Sequence, residues 1–344
     1  MLIALISILS AIGLIILVGY SLSAPKYSGP ISDHFNGKKF LNPGGASAAG
    51  LGAVFKWMIN RQKGTWSKLE NVSTGTKPPA KVETGLRITF INHSTFLIQT
   101  HGLNILTDPI WSNRASPFSW AGPKRRRPPG LDFDDLPFIH VVLLSHNHYD
   151  HLNVSTLKIL HRKFQPTIFT ALGIQRFLEK KGIPTAVEMD WWDERELNNG
   201  LKLISVPAQH FSGRGMFDRD ATLWCGFVIR RKEGNIYFAA DSGYNYSLFT
   251  EIGEKMAPIK LAILPIGAYK PSWFMSPIHA SPAEAVKIQL DVLAEKAIAS
   301  HFGTFLLADE GEDEMYEDLE RALAENKLTR DDFLVLMEGE GIQL

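Results

Sequence analysis

The sequence predicts an α/β fold in which layered sheets are flanked by helices. Short β-rich runs separated by turns begin after Gly85, and later strands alternate with helical stretches. The chain has 344 residues, 45% of them hydrophobic, so it can bury a large core. Its glycine and proline contents are too ordinary for a disordered or fibrous class, and one globular domain is expected, with an N-terminal elaboration.

The N-terminal elaboration is predicted to be a membrane-spanning helix. The first 22 residues carry no charged side chain, and about 20 apolar residues suffice to cross a bilayer. A cleaved signal peptide is the alternative, but the run lacks a basic n-region, Leu22 is bulky where a small residue is wanted, and Pro25 follows closely. We therefore expect an uncleaved single-pass anchor over 1–24 and a membrane localisation, with the side that carries the catalytic domain left open.

Residues 25–85 are expected to form a connector and covering segment. They are rich in Gly, Pro, Ser and Lys and contain one helix-like patch, at 48–61. Packing of this patch on the main domain is the expected outcome, and contact with lipid is the alternative.

Residues 86–344 form the predicted main domain. Apolar runs that open it predict strands at 86–90, 95–99 and 104–107. Ser281 and Pro282 are typical of an N-cap and a first helical turn. The clearest predicted helices cover 154–162, 173–181, 282–294 and 313–326.

Charge and cysteine content exclude several classes of function. Lys+Arg and Asp+Glu both number 36, so no overall field recruits nucleic acid, and an anionic substrate must be held locally. Cys225 is the only cysteine, which excludes an internal disulfide and a zinc site of clustered thiolates. The basic run at 124–127 is expected to be solvated or internally paired, with phosphate or headgroup binding as the alternative.

A dense group of metal-ligand residues follows the apolar run 141–145. It reads His146-Asn147-His148-Tyr149-Asp150-His151. Residues two apart on an extended segment face the same way, so His146 and His148 can present their rings to one ion. Asp150 and His151 come where the chain should turn into a helix, and they can face a second ion beside the first.

Three further candidates share one sequence context. His210, Asp241 and His301 each stand at or just past the end of a short apolar run, where α/β proteins tend to place their sites. A polar loop whose histidines satisfy one another is the alternative for the 146–151 group, but it does not account for this shared context.

The sequence resembles the metallo-β-lactamase superfamily, whose His-x-His-x-Asp-His motif matches residues 146–151. Within it, the chain is similar to the N-acyl-phosphatidylethanolamine-hydrolysing phospholipase D branch and its bacterial relatives. That finer similarity lies in SDHF (32–35), FLNP (40–43), TDP (107–109), GPKR (122–125), LPIGAY (264–269) and WFM (273–275). The resemblance implies a four-layer αβ/βα sandwich.

The resemblance also implies a two-zinc site. One zinc would be held by His146, His148 and His210, the other by Asp150, His151 and His301, with Asp241 bridging both. His279 matches a histidine that lies near the substrate phosphate in the family, although Ile278 replaces a polar neighbour. The donor atoms suit zinc and leave iron or manganese open.

The predicted activity is a zinc-dependent phospholipase D that releases N-acylethanolamine and phosphatidic acid. Two ions about 3.5–4 Å apart can hold a hydroxide that attacks phosphorus, with Asp150 and Asp241 as ligands and His279 assisting. Another hydrolase on the same scaffold, such as a lactonase or a nuclease, and an inactive membrane-bound metal-binding protein are the alternatives. The expected partners are a phospholipid substrate and a membrane, not nucleic acid, and a homodimer is left open.

Overall fold

The apolar runs after Gly85 fold into two seven-stranded β-sheets. The computed structural model of the chain describes residues 2–67 and 75–344, with side chains from residue 6 onward. The expected α/β class is confirmed, because two sheets and the helices between their strands make up the main domain.

The first sheet contains the strands predicted at the start of the main domain. Its spatial order is β14-β1-β2-β3-β4-β5-β6. The four strands β14, β1, β2 and β3 pair antiparallel, and β3 to β6 pair parallel. The strands are β1 (Leu86–Asn92), β2 (Thr95–Thr100), β3 (Leu103–Thr107), β4 (Val141–Leu144), β5 (Thr167–Ala171), β6 (Ala186–Met189) and β14 (Gly341–Gln343).

The second sheet repeats this mixed pattern. Its order is β13-β12-β11-β10-β9-β8-β7, parallel from β13 to β10 and antiparallel from β10 to β7. Its strands are β7 (Glu194–Glu196), β8 (Lys202–Val206), β9 (Gly226–Arg230), β10 (Asn235–Phe238), β11 (Ile259–Pro265), β12 (Ala294–Ser300) and β13 (Phe333–Leu334). Most of these strands are buried along nearly their whole length, and one apolar cluster includes residues of both sheets.

Helices connect the strands and pack against them. The four helices predicted in the main domain are present, although their bounds differ by a few residues. Ser281 caps its helix as expected, because its hydroxyl accepts from the Glu284 amide while the Glu284 carboxylate accepts from the Ser281 amide. The helices are α1 (Leu2–Leu22), α2 (Leu51–Ile59), α3 (Val154–Phe164), α4 (Gln175–Lys180), α5 (Tyr246–Met256), α6 (Ser272–Met275), α7 (Pro282–Asp291) and α8 (Glu314–Glu325).

The N-terminal helix corrects one prediction. Among the described residues, no helix is both long and apolar enough to cross a bilayer, so the single-pass anchor over 1–24 and the membrane localisation are wrong. The helix also ends on the main domain, where Gly19 O accepts from the Met216 amide at 3.2 Å and the Ala24 amide donates to Asp218 at 2.7 Å.

Part of the segment predicted as a connector lies over the main domain. The stretch 68–74 of that segment is outside the described residues. In the helix-like patch, Trp57 stacks on Phe274 with ring centroids 5.1 Å apart, and its indole N–H donates to Asp309 at 2.9 Å. Upstream of the patch, the Asn42 side chain accepts from the His210 amide at 2.9 Å and donates to the His210 carbonyl at 2.7 Å. This segment therefore supports a strand-end loop that carries one of the predicted metal ligands.

Candidate metal centre

The ends of four strands bring the predicted ligand residues together. His146 follows β4, His210 follows β8, Asp241 follows β10 and His301 follows β12. Side chains at the same edge of two facing sheets can converge, and here all seven predicted ligands do. The alternative of a polar loop whose histidines satisfy one another does not account for Asp241 and His301, which approach the 146–151 group from other strands.

Three imidazole rings form the first group: His146, His148 and His210. His146 Nε2 lies 2.9 Å from His148 Nδ1, which lies 3.2 Å from His210 Nε2. Three nitrogens at such separations resemble the corner atoms around one tetrahedral ion, whose own bonds to imidazole are about 2.0–2.1 Å. The first group can therefore hold one metal ion.

The second group consists of Asp150, His151 and His301. Asp150 Oδ2 lies 3.4 Å from His301 Nε2 and 3.5 Å from His151 Nε2. The two imidazoles are fully buried, and the Asp150 side chain retains 13% exposure. A carboxylate oxygen and two ring nitrogens thus face a common point and can hold a second ion.

Asp241 lies between the two groups. Its Oδ2 atom is 3.0 Å from His301 Nε2 and 3.2 Å from His151 Nε2, and it is also 3.7 Å from His210 Nε2. The side chain is only 2% exposed. A single oxygen of this carboxylate therefore lies within 3.7 Å of ring nitrogens from both groups.

Hydrogen bonds to the far side of three rings decide which nitrogen can bind a metal. His151 donates from Nδ1 to Asp108 at 2.7 Å, and His210 donates from Nδ1 to Ile278 O at 2.8 Å. The Ser145 hydroxyl donates to Asp108 at 2.6 Å and can accept from His146 Nδ1 at 2.9 Å. Each ring then has its proton on Nδ1 and a free lone pair on Nε2.

Asp108 contacts a candidate ligand, His151, but was not among the site residues predicted from the sequence. It is fully buried at the end of β3, and its carboxylate also accepts from the Ser145 amide at 2.8 Å. Its segment contributed to the family resemblance, but no role was predicted for it. The available signal was the same as for His210 and Asp241, a polar residue just past an apolar strand.

The backbone around the centre is held in sparsely populated conformations. Positive φ angles, which side-chain-bearing residues rarely adopt, recur just past the ends of strands. At Gly267 any Cβ would lie 2.1 Å from the His301 carbonyl oxygen, so only glycine permits this approach of the two loops. The residues with positive φ at these places are His93 (48°), Asp108 (32°), Ala240 (55°), Ala268 (60°) and His301 (58°).

Electrostatics divides the histidines into two kinds. Burial lowers the pKa of His210 to about 4 and that of His148 to about 3, so their rings are neutral near pH 7. For His301, burial would lower the pKa, but the carboxylates of Asp241 and Asp150 outweigh it and raise the pKa to about 9. Without a metal ion, protons on the second group would balance these two carboxylates.

Several buried ligand atoms have no hydrogen-bond partner within 2–67 and 75–344. They are His151 Nε2, His301 Nε2 and Asp241 Oδ1. The 3.0 Å approach of His301 Nε2 to Asp241 Oδ2 lacks hydrogen-bond geometry, as expected of two atoms directed at a third point. Unpartnered buried polar atoms are costly, and bound cations would remove that cost. The residues present therefore fit a pair of metal ions.

His279 lies at the rim of the same centre. Its Nδ1 atom is 3.9 Å from Asp241 Oδ2, and its ring centroid is 5.1 Å from that of His210. Burial lowers the pKa of His279 well below its ordinary value, so the ring is neutral and can donate one hydrogen bond. A side-chain exposure of 12% leaves it reachable by a substrate.

The basic run at 124–127 is paired within the protein at two of its members. Arg125 donates to Ser112 O and Ile110 O and lies over the Phe305 ring. Arg127 pairs with the carboxylates of Glu312 and Glu338. These two arginines therefore stabilise the loop on which they lie.

Comparisons with known proteins show what the chain is similar to. A model of the Beta-lactamase superfamily domain matches residues 103–302. The chain is 36% identical over 287 residues to N-acyl-phosphatidylethanolamine-hydrolyzing phospholipase D 1 of Caenorhabditis elegans. That match covers 78% of this chain and 80% of the relative. A mitochondrial protein of Saccharomyces cerevisiae with the same activity in its name is 35% identical over 227 residues. That match covers 64% of this chain but only 48% of the relative.

Among solved structures, Igni18, a metallo hydrolase from Ignicoccus hospitalis, has a TM-score of 0.58 at 22% identity. The match covers 76% of this chain and 99% of that one. At this level of identity the similarity concerns the fold alone.

Proposed function

The chain belongs to the metallo-β-lactamase superfamily and is a metal-dependent hydrolase, and from that premise we propose that it is a phospholipase D acting on N-acyl-phosphatidylethanolamine. Water would add to phosphorus as the bond to the ethanolamine oxygen breaks, and that oxygen would gain a proton. The products are N-acylethanolamine and phosphatidic acid. Similarity over most of its length to a relative named for this reaction supports the choice of substrate.

The single observation that carries the proposal is the position of Asp241. Its Oδ2 atom approaches His210 of the first group and His151 and His301 of the second. A shared carboxylate is what a centre of two adjacent ions requires. We assign His146, His148 and His210 to one ion, Asp150, His151 and His301 to the other, and Asp241 to both.

Zinc is the proposed metal. Imidazole nitrogens and carboxylate oxygens suit it, and the same donors also suit iron or manganese. Cys225 takes no part, because burial raises the pKa of its thiol to about 12 and it lies against the Ser145 carbonyl. A bound zinc pair would supply Lewis acidity toward phosphoryl oxygens and lower the pKa of water to about 7.

The protein's own groups orient the reactants. Asp108 fixes the His151 ring through a fully buried hydrogen bond, and the Ile278 carbonyl fixes His210. His279, neutral at the rim, can donate to a non-bridging phosphoryl oxygen as negative charge develops there. The burial of the centre excludes bulk water, which strengthens each of these interactions.

The test is a substrate panel with purified protein and added zinc. Phosphatidic acid release from N-acyl-phosphatidylethanolamine, abolished by Asp241→Asn, is the expected result. Asp134→Asn is the matched control, because that carboxylate is 97% exposed and, in the part of the chain that the structure describes, pairs only with Lys163. Opening of lactones without phosphatidic acid release, or metal binding without turnover of any panel member, would contradict the proposal.

A further inference from the structure

His93 lies against the second group but belongs to neither set of assigned ligands. It follows β1 in a left-handed conformation, with φ 48°, and is 1% exposed. Its amide donates to the Thr304 hydroxyl at 2.8 Å, and its carbonyl accepts from the His301 amide at 2.9 Å. The backbone of His93 is thus fixed to the loop that carries His301, so the two rings keep a constant relation, with centroids 4.2 Å apart.

The two nitrogens of the His93 ring have different surroundings. Nε2 lies 3.1 Å from Asp150 Oδ2, whereas Nδ1 is buried without a hydrogen-bond partner among the described residues. A proton on Nδ1 would be an unsatisfied buried donor, whereas a proton on Nε2 meets a carboxylate.

We propose that His93 is a positioning residue, which donates from Nε2 to Asp150 and thereby fixes the orientation of that carboxylate toward the second metal ion. This inference rests on the proposed function, since it takes Asp150 to be a ligand. Among the described residues, His93 is the only side chain with a hydrogen bond to Asp150. His151 and His301 approach the same oxygen at 3.5 and 3.4 Å, but metal binding would engage their Nε2 atoms. His93 would then be the protein group that still holds Asp150 in place.

The experiment compares three substitutions at this position. His93→Phe preserves a ring but removes the N–H group that donates to Asp150. His93→Asn tolerates the positive φ, but its side-chain amide is too short to reach Asp150. His93→Gln has an amide N–H that reaches to about where Nε2 lies. Loss of a hydrogen bond to a metal ligand typically weakens metal binding about 10–100-fold. We expect that loss for the second ion in the Phe and Asn variants, with the first ion retained, and recovery of most of the affinity in the Gln variant.

The measurement is zinc stoichiometry and affinity by chelator competition, together with the absorption spectrum of the cobalt-substituted protein. His101→Phe is the matched control, because His101 has φ 51° and its Nε2 also lies 3.1 Å from a carboxylate, that of Glu233, in a turn between β2 and β3. Retention of the first ion reports an intact fold. The cobalt bands of the Gln variant should match those of the unsubstituted protein, because no metal ligand has changed.

Two results would overturn the inference. If His93→Phe and His93→Asn bind both ions as tightly as the unsubstituted protein, His93 does not position Asp150. If His93→Gln loses the second ion as completely as His93→Phe, His93 is itself a ligand. Failure of the proposed function would instead appear in the unsubstituted protein, as absence of phospholipid turnover.

Discussion

Replacing Asp108 by asparagine tests how the centre selects the metal-binding nitrogen of His151. The Asp108 carboxylate accepts three hydrogen bonds, from the Ser145 amide, the Ser145 hydroxyl and His151 Nδ1, at 2.8, 2.6 and 2.7 Å. An asparagine that keeps its oxygen toward the Ser145 amide must turn its NH₂ group toward His151. The His151 ring would then carry its proton on Nε2, the atom that should bind the metal.

The expected magnitude follows from these contacts. A buried hydrogen bond to a charged group contributes about 1.5–3 kcal/mol, and the loss of one such bond should lower the free energy of unfolding by that amount. Loss of a hydrogen-bond partner behind a metal ligand typically reduces metal affinity about 10–100-fold. We expect the Asp108→Asn protein to fold and to retain the ion of the first group while binding the second weakly.

The assay is zinc content after dialysis against a graded series of chelator concentrations, with urea unfolding measured in parallel. Asp134→Asn is the control, because Asp134 is an exposed carboxylate on the 3₁₀ turn at Phe133–Asp135. It should change neither the zinc content nor the free energy of unfolding. An Asp108→Asn protein that binds two ions with the affinity of the unsubstituted protein would refute the tautomer argument.

Three further predictions concern other parts of the molecule. Zinc affinity should rise between about pH 7 and pH 9, because His301, whose pKa is raised to about 9, must lose its proton to bind an ion. Calorimetry in buffers of different ionisation enthalpy should record the release of that proton. An affinity that does not change with pH would contradict this prediction. Asn42→Ala removes the side chain that hydrogen-bonds to the His210 amide and carbonyl. The free energy of unfolding, measured by urea denaturation, should fall by about 1–3 kcal/mol. No change would show that water replaces the Asn42 side chain. Arg127→Gln removes a guanidinium that pairs with Glu312 and with Glu338, whose side chain has no exposure, and it should cost about 3–5 kcal/mol of unfolding free energy with the zinc content unchanged. A loss of zinc would show that these ion pairs reach the centre.

The sequence was sufficient to predict the candidate centre because its ligands share one local pattern. The four ligands at strand ends each stand just past an apolar run. Strands β8, β10 and β12 run in the same direction, because β8 and β10 both pair antiparallel with β9 and β10 to β12 pair parallel, so three of these positions lie at one edge of the second sheet. His146, His210, Asp241 and His301 could therefore be selected without knowledge of strand order. Their division between two ions came from the family resemblance, and it remains a proposal.

Other features depended on information that a local pattern does not contain. The role of Asp108 arises from its contact with Ser145 and His151, which lie 37 and 43 residues away. The order of strands in the two sheets depends on long-range pairing that the apolar runs do not specify. The predicted membrane anchor was wrong, since among the described residues no helix is long and apolar enough to cross a bilayer. The hydrogen bonds that link the end of the N-terminal helix to Met216 and Asp218 are long-range contacts that the local sequence does not specify.

The most direct measurement is an anomalous difference map at the zinc absorption edge from crystals grown with zinc. Our account predicts two peaks about 3.5–4 Å apart. One should lie among the nitrogens of the first group, the other beside the second group, and a carboxylate oxygen of Asp241 should be within bonding distance of both. A single peak, or two peaks that do not share Asp241, would contradict the account.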